Sequence, residues 1–106
     1  LKNKINKKQT KIFIQYNDKS AAKDIARLIS ALKSNGNYYV APPELINNPF
    51  PTVIKMYNHT TTEEEKTYFK KLLSRVGVNE KDVQVQRNNN SKLGDVIELW
   101  VNSRPR

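Results

Sequence analysis

Few side chains in this sequence could do chemistry, and their spacing decides which kind. His59 is the single histidine. It has no partner at the spacing of a catalytic triad or metal site, which leaves it a surface or capping residue beside a helix start. Glu63, Glu64 and Glu65 form a carboxylate run, but negative charge is what the first turn of a helix attracts, because its free amides carry partial positive charge. Gly36, Gly77 and Gly94 stand too far apart for a phosphate-cradling loop. With no cysteine present, disulfides, thiolate zinc sites and cysteine nucleophiles are excluded. The expectation is a noncatalytic domain with no cofactor and no metal. Stacking and hydrogen bonding remain. Phe13, Tyr57 and Trp100 supply flat apolar faces, and Gln15, Lys55, Gln84 and Gln86 supply amides and an ammonium. Aromatic rings stack on sugars or bases, while amides bond to hydroxyls or base edges. Packing or self-association is the competing role for the same aromatics.

Strands must position these residues. In Lys11–Asn17, Ile12, Ile14 and Tyr16 alternate with Phe13 and Gln15, as in a half-buried strand. Asp18 or Ser20 can cap the next segment. There Ala22, Ile25, Ala26, Ile29 and Leu32 recur at helical spacing up to an Asn35-Gly36 stop. Tyr38–Val40 predicts a short second strand. Pro42, Pro43, Pro49 and Pro51 mark Ala41–Pro51 as a loop. Val53–Tyr57 predicts a third strand, and Thr61 with Glu64 has the spacing of a capping box. A second helix follows on Phe69, Leu72, Leu73 and Val76, ending at Gly77. Val83 and Val85 alternate with Gln84 and Gln86, Asn88–Gly94 is turn-rich, and Val96–Val101 is a final strand.

The chain reads as one strand–helix–strand unit used twice, and internal repetition is a strong guide to architecture. Tyr16/Tyr57, Asn17/Asn58, Leu32/Leu73 and Gly36/Gly77 align at an offset of 41, whereas core alternation matches Ile14 with Ile54 and Tyr16 with Met56. A strand bulge or a one-residue difference in the following turn would reconcile the two alignments. The expected fold is α+β: a ferredoxin-like split βαβ sandwich, β-α-β-β-α-β plus a C-terminal strand. Two helices should cover one face of a four- to five-stranded sheet, with the last strand in an edge hairpin. Residues 1–10 are expected to be a basic flexible tail. Residues 11–103 should form a single domain, with halves at 11–41 and 52–87 and the C-terminal strand at 95–102. The outward positions of that sheet are Phe13, Gln15, Lys55, Tyr57, Gln84, Gln86, Glu98 and Trp100.

Charge and composition narrow the classes further. The chain has 106 residues, 37% apolar, and a net charge of +9. Residues 1–11 carry five lysines and no acid, and Arg104 and Arg106 lie at the other end, so the body between is nearly balanced. A lysine-rich end is usually a solvated tail, with a juxtamembrane segment or an anionic-polymer contact as alternatives. No apolar run approaches the roughly 20 residues that span a bilayer. The start at Leu1 rather than Met marks the chain as an expected piece of a longer protein.

Two families share this pattern. The strand Ile12–Asn17, the Ala-rich helix Ala21–Leu32 ending near Gly36, and the second half from Thr52–Tyr57 to Val83–Val85 resemble the C-terminal domain of LytR-type cell-wall proteins. Asn17-Asp18-Lys19 stands where those proteins usually carry an Asn-Gly-Thr-like turn. The same repeat is similar to the SPOR fold, a βαββαβ peptidoglycan-binding module whose sheet face contacts glycan strands. Both resemblances imply a noncatalytic role in the bacterial cell envelope, tethered by an upstream membrane segment outside this chain. The ending Gly94–Val101 also resembles accessory domains of larger bacterial signalling or effector proteins.

Three functions are compatible with these residues. The first is a binding domain of a membrane-tethered or envelope protein, meeting cell-wall glycan or a protein partner through Phe13, Tyr57 and Trp100. The second is a single-stranded nucleic-acid binder, favoured by the basic tail but lacking the aromatic RNP signature in every strand. The third is an oligomerisation or protein-interaction module that pairs through Val96–Val101 as an edge strand.

Overall fold

The structure, a computed structural model, describes residues 9–58, 61–88 and 94–102. His59 and the lysines at positions 2, 4, 7 and 8 lie outside the described residues. The elements are β1 (Thr10–Tyr16), α1 (Ala22–Asn35), β2 (Tyr38–Val40), β3 (Glu44–Leu45), β4 (Val53–Tyr57), α2 (Glu63–Ser74), β5 (Gln84–Asn88) and β6 (Val96–Val101). The α+β class is therefore observed, with two helices and a mixed sheet of six strands.

Local chemistry explains most boundaries. Asp18 accepts from the Ser20 amide and caps a single 3-10 turn that leads into α1. Gly36 ends α1 at φ 83°, in the left-handed region that an L-residue enters only at a cost. The start of α2 differs from the expected Thr61–Glu64 box by one residue. Thr62 is the N-cap and accepts from the Glu65 amide at 3.1 Å. Adjacent threonines are chemically equivalent, so spacing alone does not choose between them. The Glu65 carboxylate is engaged elsewhere, accepting from the Tyr38 hydroxyl at 2.6 Å and the Thr61 hydroxyl at 2.7 Å. Burial first, and then that bond to Glu65, raise the Tyr38 hydroxyl well above the usual phenol range. Thr62→Ala is expected to lower stability by about 1 kcal/mol, read as a fall in the urea midpoint. A loss confined to Thr61→Ala would move the cap back to Thr61.

The strand order corrects the ferredoxin-like expectation. In a split βαβ unit another strand separates the two parallel strands. Here β1 and β2 are direct parallel neighbours, as are β4 and β5. Each helix thus closes a simple βαβ unit on an adjacent strand. The link from α1 to β2, only Gly36 and Asn37, returns the chain beside β1. The sheet runs β2-β1-β6-β4-β5, with β3 extending the β2 edge against Gln15 and Tyr16. The C-terminal strand is not at an edge. β6 lies in the centre, parallel to β1 and antiparallel to β4. Its burial explains this: four of its six residues, Val96, Ile97, Leu99 and Val101, are buried, which a solvated edge would waste. The premise that Val96–Val101 offers a free edge to another chain falls with it.

One core holds the layers together. Ile12, Ile14, Ile54, Met56, Ile97, Leu99 and Val101 from the sheet pack with Ile25, Leu28 and Leu32 of α1 and Phe69, Leu72 and Leu73 of α2. Both helices therefore cover the same sheet face. The repeat's two offsets also resolve. The registers of β1 and β4 run without interruption, so no bulge intervenes. Strands match at Ile14/Ile54, helices start at Ala22 and Glu63, and the second strand–helix turn is one residue longer. Tyr16 consequently packs against the core, while Tyr57, its apparent repeat, points to the opposite face.

Candidate functional site

No described helix covers the second face of the sheet. Alternation places Phe13 and Gln15 of β1, Glu98 and Trp100 of β6, and Lys55 and Tyr57 of β4 there. The register then brings them together. Phe13 and Lys55 flank Glu98 on either side, and Gln15 and Val53 flank Trp100. Expected positions that sequence places far apart become neighbours because β6 lies between β1 and β4. Gln84 and Gln86 are exposed on β5, opposite Val53 and Lys55, and form the rim rather than the centre.

The centre is a connected group. Trp100 Nε1 donates to Glu98 Oε1 at 2.9 Å, and the Tyr57 hydroxyl donates to the same oxygen at 3.2 Å. Lys55 Nζ lies over the Trp100 ring, 4.7 Å from its centroid, in cation–π geometry. Phe50 meets Trp100 edge-on, with centroids 5.1 Å apart and planes at 88°. Burial, followed by the charge of Glu98, raises the Tyr57 hydroxyl above the usual phenol range and keeps it a donor. Beneath these groups Val53 and Val96 are only 3% and 2% exposed, yet neither belongs to the core shared with the helices. They form a thin apolar floor of their own. Gln15 is half-buried beside Trp100, and its Oε1 is shielded from solvent without a hydrogen-bond partner among the described residues.

Two members of the group were not among the expected site residues. Glu98 was legible as an outward position, and its central place follows from the strand order. Phe50 comes from the proline loop; an aromatic flanked by Pro49 and Pro51, held stiffly beside a strand start, was the available signal. The loop itself is fastened where it crosses the sheet. The Asn102 amide donates to Thr52 Oγ1 at 2.9 Å, and Asn17 Nδ2 donates to Asn102 Oδ1 at 3.1 Å. These bonds tie the ends of β1 and β6 to the start of β4.

Chemically, this face can stack a flat apolar surface and exchange hydrogen bonds around it. Its two central charges, Lys55 and Glu98, have opposite sign. Among the described residues no group of three His, Cys, Asp or Glu side chains could hold a metal ion, and no helix is long and apolar enough to cross a membrane. Compared with known protein families, curated proteins and solved structures, the chain matches none.

Proposed function

We propose that this chain is a noncatalytic binding domain of a larger bacterial cell-envelope or membrane-tethered protein, and that its helix-free sheet face takes a glycan. The observation that carries this reading is the Trp100 platform. Its ring is oriented by Glu98 at the indole nitrogen, with Phe50 perpendicular to it, Lys55 over one face, and Phe13, Gln15 and Tyr57 around it. A sugar ring offers an apolar face to an aromatic and hydroxyls to the surrounding polar groups, and Lys55, a flexible side chain, can move aside for it. Preorganisation reduces the side-chain entropy lost on binding. The opposite charges of Lys55 and Glu98 favour a neutral ligand over a nucleic-acid backbone, whose affinity depends on accumulated positive charge. The envelope placement rests on the sequence likeness to LytR-type modules, because the adjacent parallel pairs β1/β2 and β4/β5 set this sheet apart from the split βαβ layout of a SPOR module.

Cosedimentation with purified peptidoglycan tests this. Wild type is expected in the pellet, and Trp100→Ala is expected to bind about tenfold more weakly, equivalent to roughly 1.4 kcal/mol. Trp100→Phe should retain part of the binding, and thermal melts of both variants separate lost binding from lost folding. Wild type remaining in the supernatant, or a folded Trp100→Ala pelleting as wild type does, would overturn the reading.

A further inference from the structure

The outer surface of the helix layer has its own charge pattern, distinct from the sheet face. β1 and β4 both pair with β6, one parallel and one antiparallel, so they run in opposite directions. Each helix returns against its own preceding strand, which makes α1 and α2 antiparallel. The first half of α1 therefore lies beside the C-terminal end of α2. A cleft of about 350 Å³ opens between them, with Asp24 and Arg27 on one wall and Arg75 on the other. Lys23 precedes Arg27 by four residues and Lys71 precedes Arg75 by four, so each pair shares a helix face. All four basic residues are exposed. The acid among them, Asp24, meets Arg27 only at 4.0 Å, where the Arg27 side chain is 84% exposed, and such a pair holds the guanidinium weakly. The three glutamates that open α2, residues 63–65, lie at the other end of the helix.

We propose that this cleft binds a flexible linear polyanion without nucleobases, lying between the Lys23/Arg27 and Lys71/Arg75 stripes. The spacing supports a chain rather than a single ion: Arg27 and Arg75 line the cleft, and Lys23 and Lys71 stand outside its lining, each one helical turn or about 6 Å from its arginine. Guanidinium groups suit phosphate and other oxyanions because their donors form a planar fork. Nucleic acid fits less well, since no aromatic residue lines the cleft to stack a base. A flat anionic membrane also fits less well. The exposed large apolar side chains among the described residues, Tyr39 and Leu45, belong to β2 and β3 rather than to this surface, so apolar anchors are missing here.

Inorganic polyphosphate is the probe, titrated against the whole chain at several salt concentrations. Arg27→Gln/Arg75→Gln is expected to weaken binding about tenfold and to reduce the slope of log affinity against log salt by about 1 to 2. Arg27→Lys/Arg75→Lys should keep the slope and lose part of the affinity. In a parallel variant the lysines at 2, 4, 7 and 8 become glutamine, which should leave the Arg27/Arg75 effect in place. The proposal is overturned if that tail variant abolishes binding while the double arginine variant binds as wild type does. It is equally overturned if oligo-dT binds more tightly than polyphosphate of equal charge, or if phosphatidylglycerol vesicles compete it away through the same arginines. Trp100→Ala should leave polyphosphate binding unchanged, so this result and the glycan result stand or fall separately.

Discussion

A chain cut after Gly94 is expected not to fold. Among the described strands, β1 pairs with β2, β3 and β6, and β4 pairs with β5 and β6. β6 is the one strand common to both halves. Without it, Ile12, Ile14, Ile54 and Met56, all at most 1% exposed, would border an open gap, and six paired positions on β1 and five on β4 would lose their ladder. A two-strand βαβ unit alone has too little buried area to offset its chain entropy. Far-ultraviolet circular dichroism should show a largely unfolded chain with no cooperative thermal transition. A truncated chain that melted cooperatively would mean that β6 is peripheral, as the edge-hairpin arrangement would have it.

Phe69→Ala is the point substitution with the largest expected cost. Phe69 is 0% exposed, and its ring meets Tyr38 at 5.6 Å and Tyr68 at 5.7 Å between centroids. It joins α2 to β2 at the far side of the sheet, alongside the Tyr38–Glu65 hydrogen bond. Removing a buried phenylalanine costs about 3–5 kcal/mol, against a total stability of about 5–15 kcal/mol for a typical domain. At about 4–8 °C per kcal/mol for a domain of this size, Tm should fall by more than about 12 °C. Phe69→Leu should cost much less. A fall of only a few degrees in Phe69→Ala would mean that α2 is held mainly by β4 and β5, not by this contact across the sheet.

Faces were legible in the sequence; neighbours were not. Alternation in Ile12–Tyr16, Val53–Tyr57 and Val96–Val101 identified which side chains look toward the helices, because a strand's period of two is a local property. Strand order depends on contacts between residues far apart in the chain, and no local period records them. The hint lay in β6 itself, where Val96 sits next to Ile97 and apolar residues occupy both faces. The one-residue shift at the α2 cap has a different origin: Thr61 and Thr62 offer the same hydroxyl, but Thr61 donates to the Glu65 carboxylate while Thr62 accepts from the Glu65 amide. The tyrosines at 16 and 57 show how a repeat misleads. An identical residue changes face when the two alignments differ by one.

The parallel pairing of β1 with β6 also has a mechanical meaning. Thr10 opens β1 at one pole of the sheet, and Val101 closes β6 at the other. Tension applied between these two points runs along both strands, in opposite directions on neighbouring strands. The ladder from Lys11–Val96 to Tyr16–Val101 is then loaded in shear, so its bonds share the force instead of opening one at a time from an end. A domain linked at those two poles would act as a stiff connector under load, with its sheet face and helix layer both left open to the side.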